Sequence, residues 1–256
     1  MRPATGAFST ALESVEAKEV LALGDQKGTV VGMTNPIRVM IEQGKKKRTV
    51  ASAFDWPGWD RSAKSEDQAL AVLATYRERY AKVAALAGLA DEFGATGDLE
   101  VVERVAGTGM TDFYGVSARS ATPEYEQLSA AGCERKIALL RASWAYFDDV
   151  ASRVSRELRL GPRGGGRDRD GIVRHANGAE IYEFAPKVAV KVPLDTRERP
   201  DDLRVYREAL CEAIREHNAR GASARTWTVQ YVIRHSAYHM LDHAWEMEDR
   251  DLSGGT

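Results

Sequence analysis

His235, His239 and His243 recur at every fourth residue in Arg234-His235-Ser236-Ala237-Tyr238-His239-Met240-Leu241-Asp242-His243, a segment that holds three of the chain's five histidines. A helix stacks residues four apart on one face, within contact of each other. If these imidazoles act together, the segment is helical and something must pack against the face that carries them. Two imidazoles one turn apart can share one ion. A third ligand from another element would complete a three-histidine site with a coordination position left open, which is what a metal needs to activate water or a thiol.

The surrounding half of the chain supplies the partners. From about residue 123 to 250, four amphipathic patterns follow one another. The first, about 134–154, puts Leu140, Trp144, Phe147 and Val154 on one side. The second covers about 170–185. The third opens at Pro200-Asp201-Asp202, a helix N-terminal signal, and carries Leu203, Tyr206, Leu210 and Ile214 in a stripe. The fourth, about 228–249, contains the histidines. Joined by short or moderate connections, the longest around 188–199, they predict a four-helix bundle. Bundles build metal sites from inward-facing residues of neighbouring helices, so His175, early in the second pattern, is the natural third ligand. The pattern is not a His-Glu-x-x-His protease site, because position 240 is Met and the acid, Asp242, directly precedes His243. The same spacing has a second explanation. His235, His239, Asp242, His243 and Glu246 form one polar stripe beside an apolar one of Val229, Ile233, Ala237, Met240, Ala244 and Met247, as on any surface helix.

Residues 33–116 have a different texture. Ile37, Val39 and Ile41 alternate with other residues as in a half-buried strand, Gln43-Gly44-Lys45-Lys46 supplies a turn, and 48–54 supplies a second strand. The Lys45-Lys46-Lys47-Arg48 run reads as a solvated hairpin tip, with phosphate contact as the alternative. Asp55-Trp56-Pro57-Gly58-Trp59 breaks the strand. Ser65-Glu66-Asp67-Gln68 has the form of a capping box, and a helix to about Gly88 carries Leu70, Leu73, Tyr76, Tyr80, Val83 and Leu86. Residues 99–105 read as a further strand. The chain is thus expected to be α+β: a small antiparallel α/β sandwich over 33–116, then a polar linker around 117–123, then the helical bundle over 123–250. Residues 1–32 carry no strong period and their role is left uncertain.

Composition narrows the function classes. Lys+Arg 36 against Asp+Glu 38 leaves a net charge of −2, which gives no global field for nucleic acid or anionic membranes. No apolar run is long enough to span a bilayer and no signal-peptide core is evident, so no membrane partner is expected and the cytoplasm is the expected compartment. Cys133 and Cys211 are too few for a disulfide framework and read as reduced, packed thiols.

The stretch Leu160-Gly161-Pro162-Arg163-Gly164-Gly165-Gly166-Arg167-Asp168-Arg169-Asp170 precedes His175 by a few residues. Glycines allow close backbone approach, and a helix N-terminus offers free N–H groups. Arg163, Arg167 and Arg169 are therefore candidates for gripping an anionic group of a substrate. Equally, Asp168 and Asp170 could cap the helix and pair with the arginines.

The helical half resembles the DinB/YfiT-like superfamily of metal-binding four-helix bundles. One histidine in the second helix, within His175-Ala176-Asn177-Gly178-Ala179-Glu180, and the pair His239-Met-Leu-Asp-His243 in the last carry the resemblance. It implies that His175, His239 and His243 bind a divalent metal, zinc or nickel, and that the chemistry is that of thiol-dependent S-transferases or isomerases. The maleylpyruvate isomerases of that superfamily carry Glu where His239 stands, so the chain departs from that branch. Phe54-Asp55-Trp56-Pro57-Gly58-Trp59 and the capped helix after it resemble the strand–Pro-Gly–helix passage of HicB-like domains.

Two functions of different class follow. In the first, the chain is a metal-dependent enzyme whose partners are a low-molecular-weight thiol and a small electrophile. Asp242 and Glu246 would then orient ligand imidazoles, while Tyr238 and Trp245 would pack. In the second, the chain is a non-catalytic metal-binding or partner-binding protein. Its HicB-like layer recognises a partner through Trp56 and Trp59, which read either as exposed anchors or as core, and its bundle forms a homodimeric scaffold.

Overall fold

The computed structural model describes residues 34–46, 48–161, 165–189, 200–221 and 227–253. The expectations for residues 1–32, for Arg163 and Lys47, and for most of the 188–199 connection lie outside them. The described chain is mixed α+β, with a four-stranded sheet first and a mostly helical half after it.

Strand β1 (Asn35–Gln43) turns through the basic tip into β2 (Thr49–Ser52), which pairs in turn with β3 (Asp60–Ala63). Both pairings are antiparallel. Strand β4 (Thr96–Ala106) lies on the other side of β1 and runs parallel to it, giving the order β3-β2-β1-β4. The sheet is therefore mixed, and the antiparallel expectation is corrected. Helices intervene before β4, and a crossover of that length returns the chain in the same direction, whereas a tight hairpin reverses it. β3 was not legible as a strand because Asp60-Arg61-Ser62 has no apolar alternation. Its charges are buried only because partners from the helical half meet them.

Ser65 caps helix α1 (Glu66–Thr75), accepting from the Gln68 amide. The long helix expected through Gly88 is divided at Tyr76, with α2 (Arg77–Leu86) following. Tyr76 turns its ring edge-on to Trp245, and the Arg61 guanidinium lies over both rings. Gly88, at φ +74°, ends α2, and the short α3 (Ala90–Gly94) leads into β4. Trp56 and Trp59 are core residues, not exposed anchors. Trp59 stacks on Tyr80 and donates Nε1–H to the Leu73 carbonyl at 2.9 Å, while Trp56 meets Phe93 edge-on.

After β4, Thr108 caps helix α4 (Gly109–Tyr114). The polar stretch that follows is packed against the sheet. Buried Glu42 of β1 accepts from the Thr111 and Ser117 hydroxyls and from the amides of Ala118 and Arg119. Helix α5 (Ala130–Arg153) starts from a Ser129 cap. Helix α6 (Arg169–Ala179) starts from Asp168, which accepts from the Gly171 amide at 2.7 Å, and runs on through a π-helical turn at Glu180–Phe184. Helices α7 (Pro200–Ala219) and α8 (Val229–Arg250) complete the half. Sheet and helices share one hydrophobic cluster, in which Trp59 and Leu73 join Trp144, Leu210 and Trp245. Cys133 and Cys211 are buried free thiols. Among the described residues, no helix is long and apolar enough to cross a membrane.

Candidate metal centre

Helix α8 is buried on most of its circumference, which the amphipathic pattern alone did not require. The face carrying His239 and His243 looks into a cavity of about 550 Å³. His175 reaches the same cavity from α6. The ring centres lie 5.2 Å (His175–His239), 5.0 Å (His175–His243) and 4.7 Å (His239–His243) apart, each pair edge-to-face. One nitrogen from each imidazole can be chosen so that all three lie within 4.8 Å of one another, so the group could hold a metal ion. Among the described residues no other such cluster of His, Cys, Asp or Glu occurs.

The electrostatics suit a cation. Burial first, then the charges of His243 and Arg167, hold His175 below the ordinary imidazole range; burial holds His239 well below it. Both are therefore kept in the neutral form that ligates. His239 Nδ1 is buried with no hydrogen-bond partner among the described residues. His243 is oriented differently: its Nδ1 bonds Glu246 Oε2 at 2.8 Å, leaving Nε2 for the cavity. The bond to His243 in turn draws Glu246 below the usual carboxylate range. A carboxylate behind a ligand imidazole fixes its tautomer and ring plane.

Glu246 also anchors the glycine-rich loop. Its Oε1 accepts from Arg250 Nη1 at 2.5 Å, and Arg250 donates onward to the carbonyls of Arg159 and Arg167. Gly166 sits at φ +138°, and a Cβ there would lie 2.5 Å from Arg250 Nη2. The loop thus needs a glycine where it passes the guanidinium.

The other anticipated residues divide. Arg167 lines the cavity. Arg169 does not; it bonds Asp170 and the Val154 carbonyl beside the α6 N-terminus. Asp242 lines the cavity but pairs with Arg61 Nη1 at 2.7 Å, so the strand claims it and not an imidazole. Tyr238 is buried and also forms cavity wall, and Trp245 is packed in the core. His235, first of the helical series, stands apart from the triad: its Nδ1 shares a 3.2 Å hydrogen bond with the Tyr231 hydroxyl and Phe184 meets its ring at 4.8 Å. Burial, reinforced by Arg234, pushes its pKa down to about 3.

Sequence reasoning missed part of the cavity lining. Met110 and Tyr114 from α4, with Val116 just after it, line the cavity on one side, and Ala179, Glu183 and Phe184 line it at the end of α6. The one available signal was the exposed-looking aromatic pair Phe113-Tyr114 next to Gly115.

No protein-family model, no curated protein and no solved structure matches this chain.

Proposed function

We propose that this chain is a divalent-metal-dependent enzyme in which His175, His239 and His243 hold zinc or nickel and a low-molecular-weight thiol reacts at the open side. The observation that carries the reading is the convergence of three imidazoles, from two helices, on the wall of a cavity large enough for small molecules. The donor set fits such an ion. Three neutral nitrogens suit a borderline cation and leave its full charge for an anionic fourth ligand. The His239 Nδ1 is a buried lone pair or N–H with no hydrogen-bond partner among the described residues.

When bound, the ion would hold a thiol as thiolate at neutral pH. The chain's own residues do the rest. Glu246 fixes the His243 ring, and Arg250 fixes Glu246 and the loop. Arg167 offers its guanidinium to an anionic part of thiol or electrophile. Met110, Tyr114 and Val116 add apolar wall beside the site. S-transfer forms a bond from sulfur to an electrophilic carbon while the leaving group departs with its electron pair; isomerisation would expel the same sulfur again.

The partner-binding alternative loses its main motive, since Trp56 and Trp59 are buried in the core. Metal content by mass spectrometry on tag-free protein, beside His239→Ala, tests the first half of the proposal. About one equivalent in the parent and its loss in the variant is expected. Thiol consumption with a panel of electrophiles tests the second half, and a metal-loaded protein inert toward every thiol and electrophile would overturn it.

A further inference from the structure

The histidine cavity has a neighbour. A second chamber of about 560 Å³ shares Met110, Val116, Glu183, Phe184 and His235 with it. The walls it does not share include three aromatic rings, Tyr182, Trp227 and Tyr231. The Trp227 ring meets Tyr231 at 4.8 Å and 89°, and His235 at 5.0 Å. Phe184 lies 6.0 Å from Trp227 and 5.4 Å from the ligand candidate His239. One aromatic ring therefore stands between the two chambers and touches both.

Among the described residues that line this chamber, one cation and one anion oppose each other. Lys187 holds its ammonium 5.0 Å from the Trp227 ring, and Glu183 contributes one carboxylate to the lining. An anion would meet Glu183 and a cation would compete with Lys187 for the Trp227 face. An uncharged planar group meets neither cost and finds ring edges and faces on several sides. The volume is in the range of small-molecule sites.

We infer that this second chamber receives the planar, uncharged aryl portion of the electrophile and holds its reactive carbon toward the three histidines. The inference deepens the thiol-transfer reading and rests on it for the word electrophile, but the binding it predicts needs no metal. His235 is here a positioning residue: its ring is part of the wall, and its bond to Tyr231 keeps it turned away from the triad.

The experiment is equilibrium dialysis of the full chain against 2,4-dinitroaniline, which is planar, uncharged and unreactive toward thiols, with cyclohexanol as a non-planar competitor. Saturable binding is expected, weakened about ten-fold or more by Trp227→Ala, a loss of the order of one to two aromatic contacts. Trp227→Leu, which keeps a larger apolar side chain than Ala but removes the ring, guards against a folding defect and should weaken binding similarly. Chelator treatment should leave binding unchanged. Absence of saturable binding, parent-like affinity in both Trp227 variants, or equally effective displacement by cyclohexanol would overturn the inference. Metal loading without probe binding defeats the chamber alone; probe binding in a protein that takes up no metal defeats the enzyme reading alone.

Discussion

The guanidinium of Arg234 lies 3.0 Å from the carboxylate of Asp60, with side chains only 1% and 2% exposed. This pair joins β3 to α8 one residue before the histidine series begins. Arg234 also grips Glu124 at 2.8 Å and donates to the Ser117 hydroxyl and the Arg119 carbonyl. Sheet, connecting segment and histidine-bearing helix thus meet at one buried cation.

Arg234→Met is expected to be severely destabilising. It leaves Asp60 and Glu124 buried with no cation between them, and breaking a buried pair costs about 3–5 kcal/mol. Urea unfolding of the variant beside the parent measures it; a midpoint within error of the parent would show that the network contributes little.

Glu246→Ala should lower metal affinity by roughly 10- to 100-fold, because His243 loses the carboxylate that fixes its ring. Asp242→Ala, on the same helix face, should leave affinity unchanged, since Asp242 pairs with Arg61. Competition with a chromophoric chelator separates the two. Equal losses would mean that Asp242 also supports the site.

Glu180 makes stability depend on pH. Its side chain is buried and accepts from Trp144 Nε1 at 2.6 Å, and burial lifts its pKa to about 7. An acid raised in the folded state binds more protons there than when unfolded. Its contribution is present in full below the unfolded value of about 4.5 and disappears as pH rises through 7. Glu180→Gln should therefore match the parent near pH 4.5 and exceed it at pH 8, by an amount on the order of 3 kcal/mol. Denaturation midpoints across that range would reveal a parent that falls and a variant that stays level; parallel curves would contradict the assignment.

Gly58→Ala tests how closely the turn before β3 approaches α8. Gly58 has φ +95°, and a Cβ there would sit 2.7 Å from Leu241 Cδ1 and 3.0 Å from the Ala237 carbonyl carbon. Left-handed strain and overlap act together, and a loss of about 1–3 kcal/mol is expected. Thermal melting checks it: an unchanged Tm would mean that α8 moves aside at no cost.

Much of this architecture was written in the sequence. Local periodicity located β1, β2, β4 and the helices from α5 to α8, because each buries a stripe or alternate face whose spacing the chain carries itself. The i, i+4 spacing marked His235, His239 and His243 alike, while His175 followed from the bundle architecture and from the resemblance. Charge and composition left no global field for nucleic acid.

Tertiary structure alone decided the rest. Whether the α8 histidines faced water or a cavity depended on what packs over them, and α4 does so from a distant part of the chain. Asp242 and Glu246 are indistinguishable along the helix, yet Arg61 captures the first and His243 the second. His235 keeps the spacing of a ligand but meets Tyr231 and Phe184 instead. β3 carries two buried charges, Asp60 and Arg61, which meet the buried Arg234 and the half-buried Asp242 of α8. Periodicity reports which face of an element is turned inward; the partner it finds there is fixed by contacts between residues far apart in the chain, which no local pattern encodes.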